Sequence, residues 1–99
     1  MAFELLFGLN VIDEAGYQKY RDATLPLLTA CGGYFRYDFA VSKVLMGEAQ
    51  HPINRVFVVV YPDRDSQVRL FKDPAYLRIR ETFFTPSVAG ATRLAEYER

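Results

Sequence analysis

Two runs near the middle of the chain, YFRYDFAV at 34 to 41 and RVFVVVY at 55 to 61, are dense in aromatic and β-branched residues, and the polar stretch GEAQHP at 47 to 52 lies between them. Residues of this kind suit a pleated surface, and a loop containing glycine and proline between two such runs predicts an antiparallel hairpin. The spacing places its strands over 34–46 and 54–61. A chain with a long hairpin at its centre must supply the elements that cover it from its two flanks, and this constrains the fold more than any other feature.

In the N-terminal flank Phe3, Leu5, Phe7, Leu9 and Val11 alternate with smaller or more polar residues, which predicts a strand buried mostly on both sides. Asp13 can cap the helix that follows, and Tyr17, Tyr20, Thr24, Leu27 and Leu28 recur at helical spacing. Pro26 removes one backbone donor and predicts a kink about a turn before the helix ends, and Gly32-Gly33 supplies the exit. In the C-terminal flank Pro62 stops the third strand, and Asp63 can cap a second helix running to about Lys72. Asp73-Pro74 restarts it, and Thr85-Pro86 breaks it. SVAGATRLAEYE at 87 to 98 reads as the last strand. The element order is β-α-β-β-α-β, the split βαβ pattern, in an α+β domain spanning 1–99. Such a chain forms a four-stranded antiparallel sheet in strand order 4-1-3-2 with both helices on one face.

The other face is left bare, and composition indicates what covers it. A chain of 99 residues buries only ~60 to 65% of the surface that its unfolded form exposes. A single cysteine, Cys31, provides no internal disulfide and suits a reducing compartment, so a cytoplasmic protein is expected. An apolar fraction of 51% with eight Phe and seven Tyr is rich for this length. A homodimer stacked through the bare faces is therefore expected. Twelve basic and twelve acidic residues cancel and form no block, which argues against a nucleic-acid partner. The longest apolar run, VFVVVY, is far short of a ~20-residue membrane span, and MAFELLFG lacks the basic region of a signal peptide.

Centring the hairpin near Ala49 and Gln50 sets Asp38 opposite Tyr61, Ser42 opposite Phe57 and Val44 opposite Arg55; a slip of one residue reverses the faces. In this register Arg36, Asp38 and Tyr61 share the open face, and the start of the first strand brings Glu4 to them. Val56, Val58 and Val60 then lie under the helices with Phe35, Tyr37, Phe39 and Val41. In a functional reading Asp38 or Glu4 accepts a proton at a burial-raised pKa, Arg36 clamps a carboxylate or enolate, and Tyr61 donates. In the simpler reading Arg36 and Asp38 form an ion pair that neutralises itself.

Other polar residues carry weaker signals. His51, the lone histidine, sits in a His-Pro loop and is expected to be solvated. One histidine and one cysteine cannot assemble a histidine-cysteine zinc site, and no metal or cofactor is expected. Cys31 has no activating base beside it and reads as a small core residue. Gly32-Gly33 precedes a strand rather than opening a helix, so it is a turn and not a dinucleotide or phosphate loop. Tyr76 and Arg80, four apart on the second helix, can reach each other or the cavity rim, and read more simply as a stacking pair. Of Tyr17 and Tyr20, one is expected to pack and one to show its hydroxyl to solvent.

Taken together, Tyr17-x-x-Tyr20-Arg21, Pro26, Cys31-Gly-Gly-Tyr-Phe35, Arg55 leading a valine-rich strand to Tyr61-Pro62-Asp63, and Asp73-Pro74-x-Tyr76-x-x-x-Arg80 resemble, in order and spacing, a small bacterial family of uncharacterised proteins. That family lies within the dimeric α/β-barrel, ferredoxin-like superfamily, whose members include cofactor-independent monooxygenases, isomerases and cyclases, haem-dependent enzymes and stress-induced proteins. The resemblance implies the fold, the dimer and a cavity between sheet and helices. The chain departs from the family pattern at Tyr61-Pro62-Asp63, where phenylalanine-proline-serine is usual: Asp63 keeps the capping role and Tyr61 adds a hydroxyl. A lone loop histidine does not suit haem.

Two functions follow as expectations. In the first, the dimer binds or converts a small carboxylate or aromatic metabolite by cofactor-independent proton transfer, with Asp38, Arg36, Tyr61 and Glu4 as its site. In the second, it is a non-catalytic interaction module in which the same charges fix register or dimer orientation.

Overall fold

The structure is a computed structural model describing residues 1–99. Strand β1 (Phe3–Val11) leads to helix α1 (Glu14–Ala30), then to the hairpin of β2 (Tyr34–Ala40) and β3 (Arg55–Tyr61). Helices α2 (Arg64–Lys72) and α3 (Pro74–Ile79), a π-helical turn at Arg80–Phe84 and a last helical turn, α4 (Thr85–Ser87), precede β4 (Val88–Glu98). All strand pairs are antiparallel and the sheet order is β2-β3-β1-β4, as the split βαβ pattern requires. The fold is α+β and ferredoxin-like.

The caps work as the sequence predicts. Asp13 accepts from the Gly16 N–H at 3.0 Å, Asp63 from Ser66 at 2.7 Å and Asp73 from Ala75 at 2.8 Å, each satisfying a donor that the first helical turn leaves free. Helix α1 runs through Pro26 to Ala30 without interruption. Beyond it Gly32 takes φ +85°, the left-handed region that glycine enters without penalty. Gly33 passes so close to its neighbours that a Cβ would lie 2.5 Å from Leu28 Cδ1 and 2.8 Å from the Val60 carbonyl oxygen. Thr85-Pro86 does not end the helical segment; the chain widens into the π turn and completes one more turn before β4.

The hairpin differs from expectation in length and register. Strand β2 stops at Ala40 rather than 46, and Asp38 pairs with Phe57 rather than Tyr61. Arg36 has no partner: Phe35 faces Val59 and Tyr37 faces Val58, so the extra residue forms a β-bulge. The alternation of faces therefore changes phase within the strand. Phe35 and Asp38 point to the helical side, whereas Tyr34, Arg36, Tyr37 and Phe39 belong to the open side.

Strand β3 also shows the opposite face from the one expected. Tyr61, Val59 and Phe57 lie beside Phe3, Leu5 and Phe7 of β1, and these residues, with Leu9, Tyr17, Tyr20, Leu28, Leu70 and Tyr76, form the core under the helices. Val56, Val58 and Val60 lie on the open face instead, together with Glu4, Leu6 and Gly8.

Residues 41–54 fold back over that open face near Gly8. Asn54 clamps this loop to β1: its side chain accepts from the Val11 N–H and donates to the Val11 carbonyl, both at 2.8 Å. His51 is docked, not solvated. Its Nδ1 donates to the Pro52 carbonyl and its Nε2 lies 2.7 Å from Thr92 Oγ1, with Gly90 leaving room for the ring. Tyr34, Tyr37, Phe39, Leu94 and Tyr97 remain exposed on the rest of this face.

Candidate functional site

The helical layer does not close completely on the sheet. A cavity of about 340 Å3 lies between them, lined by α1, the helices after β3 and all four strands. Most of its wall is aromatic or aliphatic, including Phe7, Phe35, Phe57, Phe71 and Phe84. Six polar residues join them: Tyr20 and Thr24 from α1, Tyr61 from β3, Tyr76 from α3, Arg80 from the π turn and Arg93 from β4. No carboxylate, histidine or cysteine lines it.

Helical spacing explains how α1 supplies its part. Tyr17, Tyr20, Thr24 and Leu28 share the buried face of the helix. Both tyrosines are buried, contrary to the expectation that one shows its hydroxyl to solvent. The Tyr20 and Tyr76 hydroxyls lie 2.8 Å apart, and the Tyr76 ring stacks on Phe71 at 5.4 Å and 8°. Tyr76 and Arg80 are thus not a stacking pair: the Arg80 guanidinium lies over Phe84 instead, at 5.8 Å. The π turn inserts an extra residue per turn here, which changes the direction in which Arg80 and Phe84 project.

Burial sets the protonation of the phenols. Loss of solvent pushes the Tyr20 pKa far up, and the neighbouring Tyr76 hydroxyl adds to the effect. Burial also raises Tyr76, against the opposing influence of its bond to Tyr20 and of Arg80, and raises Tyr61 strongly. All three are hydrogen-bond donors at neutral pH rather than bases. Thr24 is 4% exposed and its Oγ1 is buried without any hydrogen-bond partner.

The residues Glu4, Arg36, Asp38 and Tyr61, expected on one face, are divided by the bulge and the register. Tyr61 lines the cavity. Asp38 shares its side of the sheet, but it pairs with Phe57, four residues away along β3, which is about 13 Å at the rise of a strand. There Arg55 holds both of its carboxylate oxygens at 2.8 and 2.7 Å, and Arg21 reaches one at 3.0 Å. The Arg55 hydrogen bonds, reinforced by the Arg21 charge, outweigh partial desolvation and hold the Asp38 carboxyl below its ordinary range. Its pKa is lowered where a raised one was expected. Arg21 also lies 3.5 Å over the Phe35 ring, so this cluster ties α1 to β2.

Glu4 and Arg36 meet on the open face, 3.0 Å apart, and the expected Arg36–Asp38 pair does not form. Glu4 is fully buried beneath Arg36, Tyr97 and Arg99, all of which donate to its carboxylate. Desolvation pushes its pKa up, but the bonds from Arg99, Tyr97 and Arg36 together bring it below the usual value. Neither carboxylate is poised as a base, and neither lines the cavity. Cys31 is half-buried and its thiol donates to the Leu28 carbonyl at 3.2 Å, as a packing residue would. No group of three or more histidine, cysteine or carboxylate side chains converges as a metal site.

Sequence reasoning missed Tyr20, Thr24 and Arg93 as cavity residues, whereas Tyr76 and Arg80 reach the cavity as one of their two expected placements allowed. Tyr20 and Thr24 carry the i,i+4 signal of a buried helix face, which the core also produces. Arg93 shows nothing that separates it from the surface arginines, because only the sheet order brings β4 beside β1.

One antiparallel sheet, one helical layer and an aromatic cavity between them define a ferredoxin-like fold. Within that class the chain belongs to the DUF1330 family, described as a domain of unknown function, whose model matches residues 5–89. A protein of unknown function from Rhodopseudomonas palustris has a similar structure, with a TM-score of 0.82 at 18% identity over 99% of this chain and 82% of that one. A dimeric ferredoxin-like protein of unknown function from Jannaschia sp. superposes over 100% of both chains, with a TM-score of 0.61 at 11% identity. SnoaB, a cofactor-independent oxygenase from Streptomyces nogalater, does so over 99% of this chain and 90% of its own, with a TM-score of 0.58 at 13% identity. At these identities the likeness concerns the fold. No curated protein matches the chain in sequence.

Proposed function

We propose that the protein is a homodimer in which each subunit binds a small anionic molecule with an aromatic or alicyclic body in the cavity between sheet and helices. The observation that carries this reading is the lining: a wall of aromatic side chains interrupted by three phenols, a threonine and two guanidiniums, with no acid. An apolar body with a few convergent polar groups is the usual make-up of a ligand site, and a volume near 340 Å3 fits the low end of the usual ~300 to 1,000 Å3 range. Arg80 and Arg93 attract a carboxylate, and Tyr61 and the Tyr20–Tyr76 pair donate to an oxygen of the ligand.

Any conversion is limited by that donor set: phenols held in their protonated form stabilise an enolate or phenolate oxygen, but nothing in the lining takes up a proton, so that proton leaves to solvent or is lost before binding. SnoaB, of similar fold, is a cofactor-independent oxygenase. In this reading Tyr61 keeps the donor role expected of it, whereas Asp38, Arg36 and Glu4 hold the scaffold around the cavity. Dimerisation through the open face accounts for the aromatic stripe of Tyr34, Tyr37, Phe39 and Tyr97, and the Jannaschia protein is described as dimeric. A cytoplasmic setting suits the single thiol.

The test is a thermal-shift screen of aromatic and alicyclic carboxylates, run in parallel on the natural protein and on Ala91→Phe, which places a ring in the cavity lining. Stabilisation of the natural protein that the variant lacks is the expected result. A screen without a hit, or hits that Ala91→Phe binds equally well, would leave the non-catalytic dimeric module as the better reading.

A further inference from the structure

The polar groups of the cavity divide by whether the fold already uses them. The Tyr20 and Tyr76 hydroxyls satisfy each other at 2.8 Å, and Arg93 donates to Glu96 at 3.2 Å. Thr24 Oγ1 has no partner and is sealed by its neighbours. Tyr61 is the remaining phenol. Its hydroxyl also bonds to no protein group, yet it is not sealed, so its accessible surface belongs to the space that the ring lines. The residue as a whole is only 3% exposed, which puts this hydroxyl deep, and burial keeps it protonated. The guanidiniums lie at the other extreme. Arg80, Ala91 and Arg93 are exposed and mark the mouth of the cavity between the π turn and β4. Arg80 pairs with no carboxylate and has only the Phe84 ring beside it. The sheet separates the two ends: Tyr61 pairs with Phe3 and Arg93 with Phe7, on opposite sides of β1 and four residues apart along it, which is about 13 Å at the rise of a strand.

We infer that the cavity takes its ligand lengthwise, with a carboxylate at the arginine mouth and an oxygen at the far end of the ring system hydrogen-bonded to Tyr61. The ligand class is then an aromatic acid that carries a hydroxyl or carbonyl remote from its acid group, and Tyr61 is the specificity-determining residue for that position. The inference rests on the cavity reading above and adds to it an orientation and a positional selectivity. A phenol donates to a carbonyl and also accepts from a hydroxyl, so either oxygen suits Tyr61. The carboxylate stays at the mouth because an ion is costly to bury and the two guanidiniums there are partly solvated. A ligand without the remote oxygen sets a C–H against the Tyr61 hydroxyl and cuts it off from water. A site of this type disfavours the analogue that lacks the bonding group.

Trans-cinnamate and its para-hydroxy and ortho-hydroxy derivatives provide the test, titrated by calorimetry into the natural protein, Tyr61→Phe and Arg80→Gln. The two derivatives have the same atoms, and only the para isomer sets its oxygen across the ring from the acid. The para isomer should bind the natural protein about tenfold more tightly than cinnamate, the factor that one net buried hydrogen bond supplies. The ortho isomer should not share this gain. In Tyr61→Phe, which keeps the ring and removes only the hydroxyl, the para preference should shrink to within about twofold. In Arg80→Gln every acid should bind more weakly while the para preference persists, because the two ends are read separately. An unchanged circular dichroism spectrum reports that each variant is folded. Equal binding of the three acids to the natural protein, an equal gain for both isomers, a preference that survives in Tyr61→Phe, or one that is lost in Arg80→Gln overturns the assignment while leaving the cavity reading in place. Failure of every acid to bind the natural protein overturns both.

Discussion

Replacing Thr24 by valine tests the energetics of an unpaired buried hydroxyl, because the expected effect on stability has the opposite sign to that of most buried substitutions. Thr24 is 4% exposed and its hydroxyl is unpaired. An unpaired buried hydroxyl costs about 1 to 3 kcal/mol, and the methyl that replaces it adds up to about 0.8 kcal/mol of apolar burial. Threonine and valine are both β-branched, so the change in helix propensity is no more than a few tenths of a kcal/mol. Incomplete relaxation of the neighbours around the new methyl offsets part of this gain, which leaves a net stabilisation of about 1 to 2 kcal/mol. For a domain of this size that is a rise in melting temperature of at least ~4 °C. The measurement is urea unfolding followed by circular dichroism, at one matched protein concentration because self-association makes stability depend on concentration. A variant less stable than the natural protein by 1 kcal/mol or more would show that the hydroxyl is satisfied in solution, by ordered water for example, and the argument from its lack of a partner would fall.

Three further outcomes follow from the same geometry. Asp38 is held below its unfolded pKa of about 3.9, so the stability it contributes is complete above that value and drains away as pH falls through the folded pKa. Asp38→Asn should therefore be less stable than the natural protein at pH 7 and approach it only as the pH falls below the ordinary carboxylate range; parallel acid limbs for the two proteins would contradict the ion-pair assignment. Gly33→Ala drives a methyl against Leu28 and the Val60 carbonyl oxygen and should cost about 1 to 3 kcal/mol, read by chemical denaturation; a neutral effect would mean that the α1–β2 approach is looser than the structure shows. Tyr37→Glu sets a charge in the exposed aromatic stripe and should weaken self-association at least ~30-fold while the circular dichroism spectrum stays unchanged. Sedimentation checks it, and a variant that stays as dimeric as the natural protein would move the subunit interface elsewhere.

The register of the hairpin shows where sequence reasoning stops. Residues 41–46 are apolar enough to continue a strand, and a strand to 46 led to the pairing of Asp38 with Tyr61. In the structure those residues belong to a loop that is anchored on the sheet by His51, Ile53 and Asn54, and Leu45 and Met46 are exposed. Its docking depends on Gly8, Gly90 and Thr92, which lie on two strands distant in sequence. The bulge at Arg36 has the same character. Strict alternation across YFRYDFAV looks unbroken on paper, and nothing local marks the one residue that drops out of the ladder. Both errors bear on the site, because each changes which side chains share a face.

The order of the strands and main helices, the three aspartate caps, the glycine exit from α1 and the strand order in the sheet were determined by the sequence alone, because each rests on local backbone preferences or on how few ways a β-α-β-β-α-β chain can be wound. Which face each strand presents, and therefore which polar residues meet, was decided only in the tertiary structure. A bulge and a register shift cost little locally, and they are chosen by the packing of the whole sheet against its helices. For this reason Glu4 and Arg36 lie on one side of the sheet and Asp38 and Tyr61 on the other, and the cavity draws its polar groups from Tyr20, Thr24, Tyr61, Tyr76, Arg80 and Arg93.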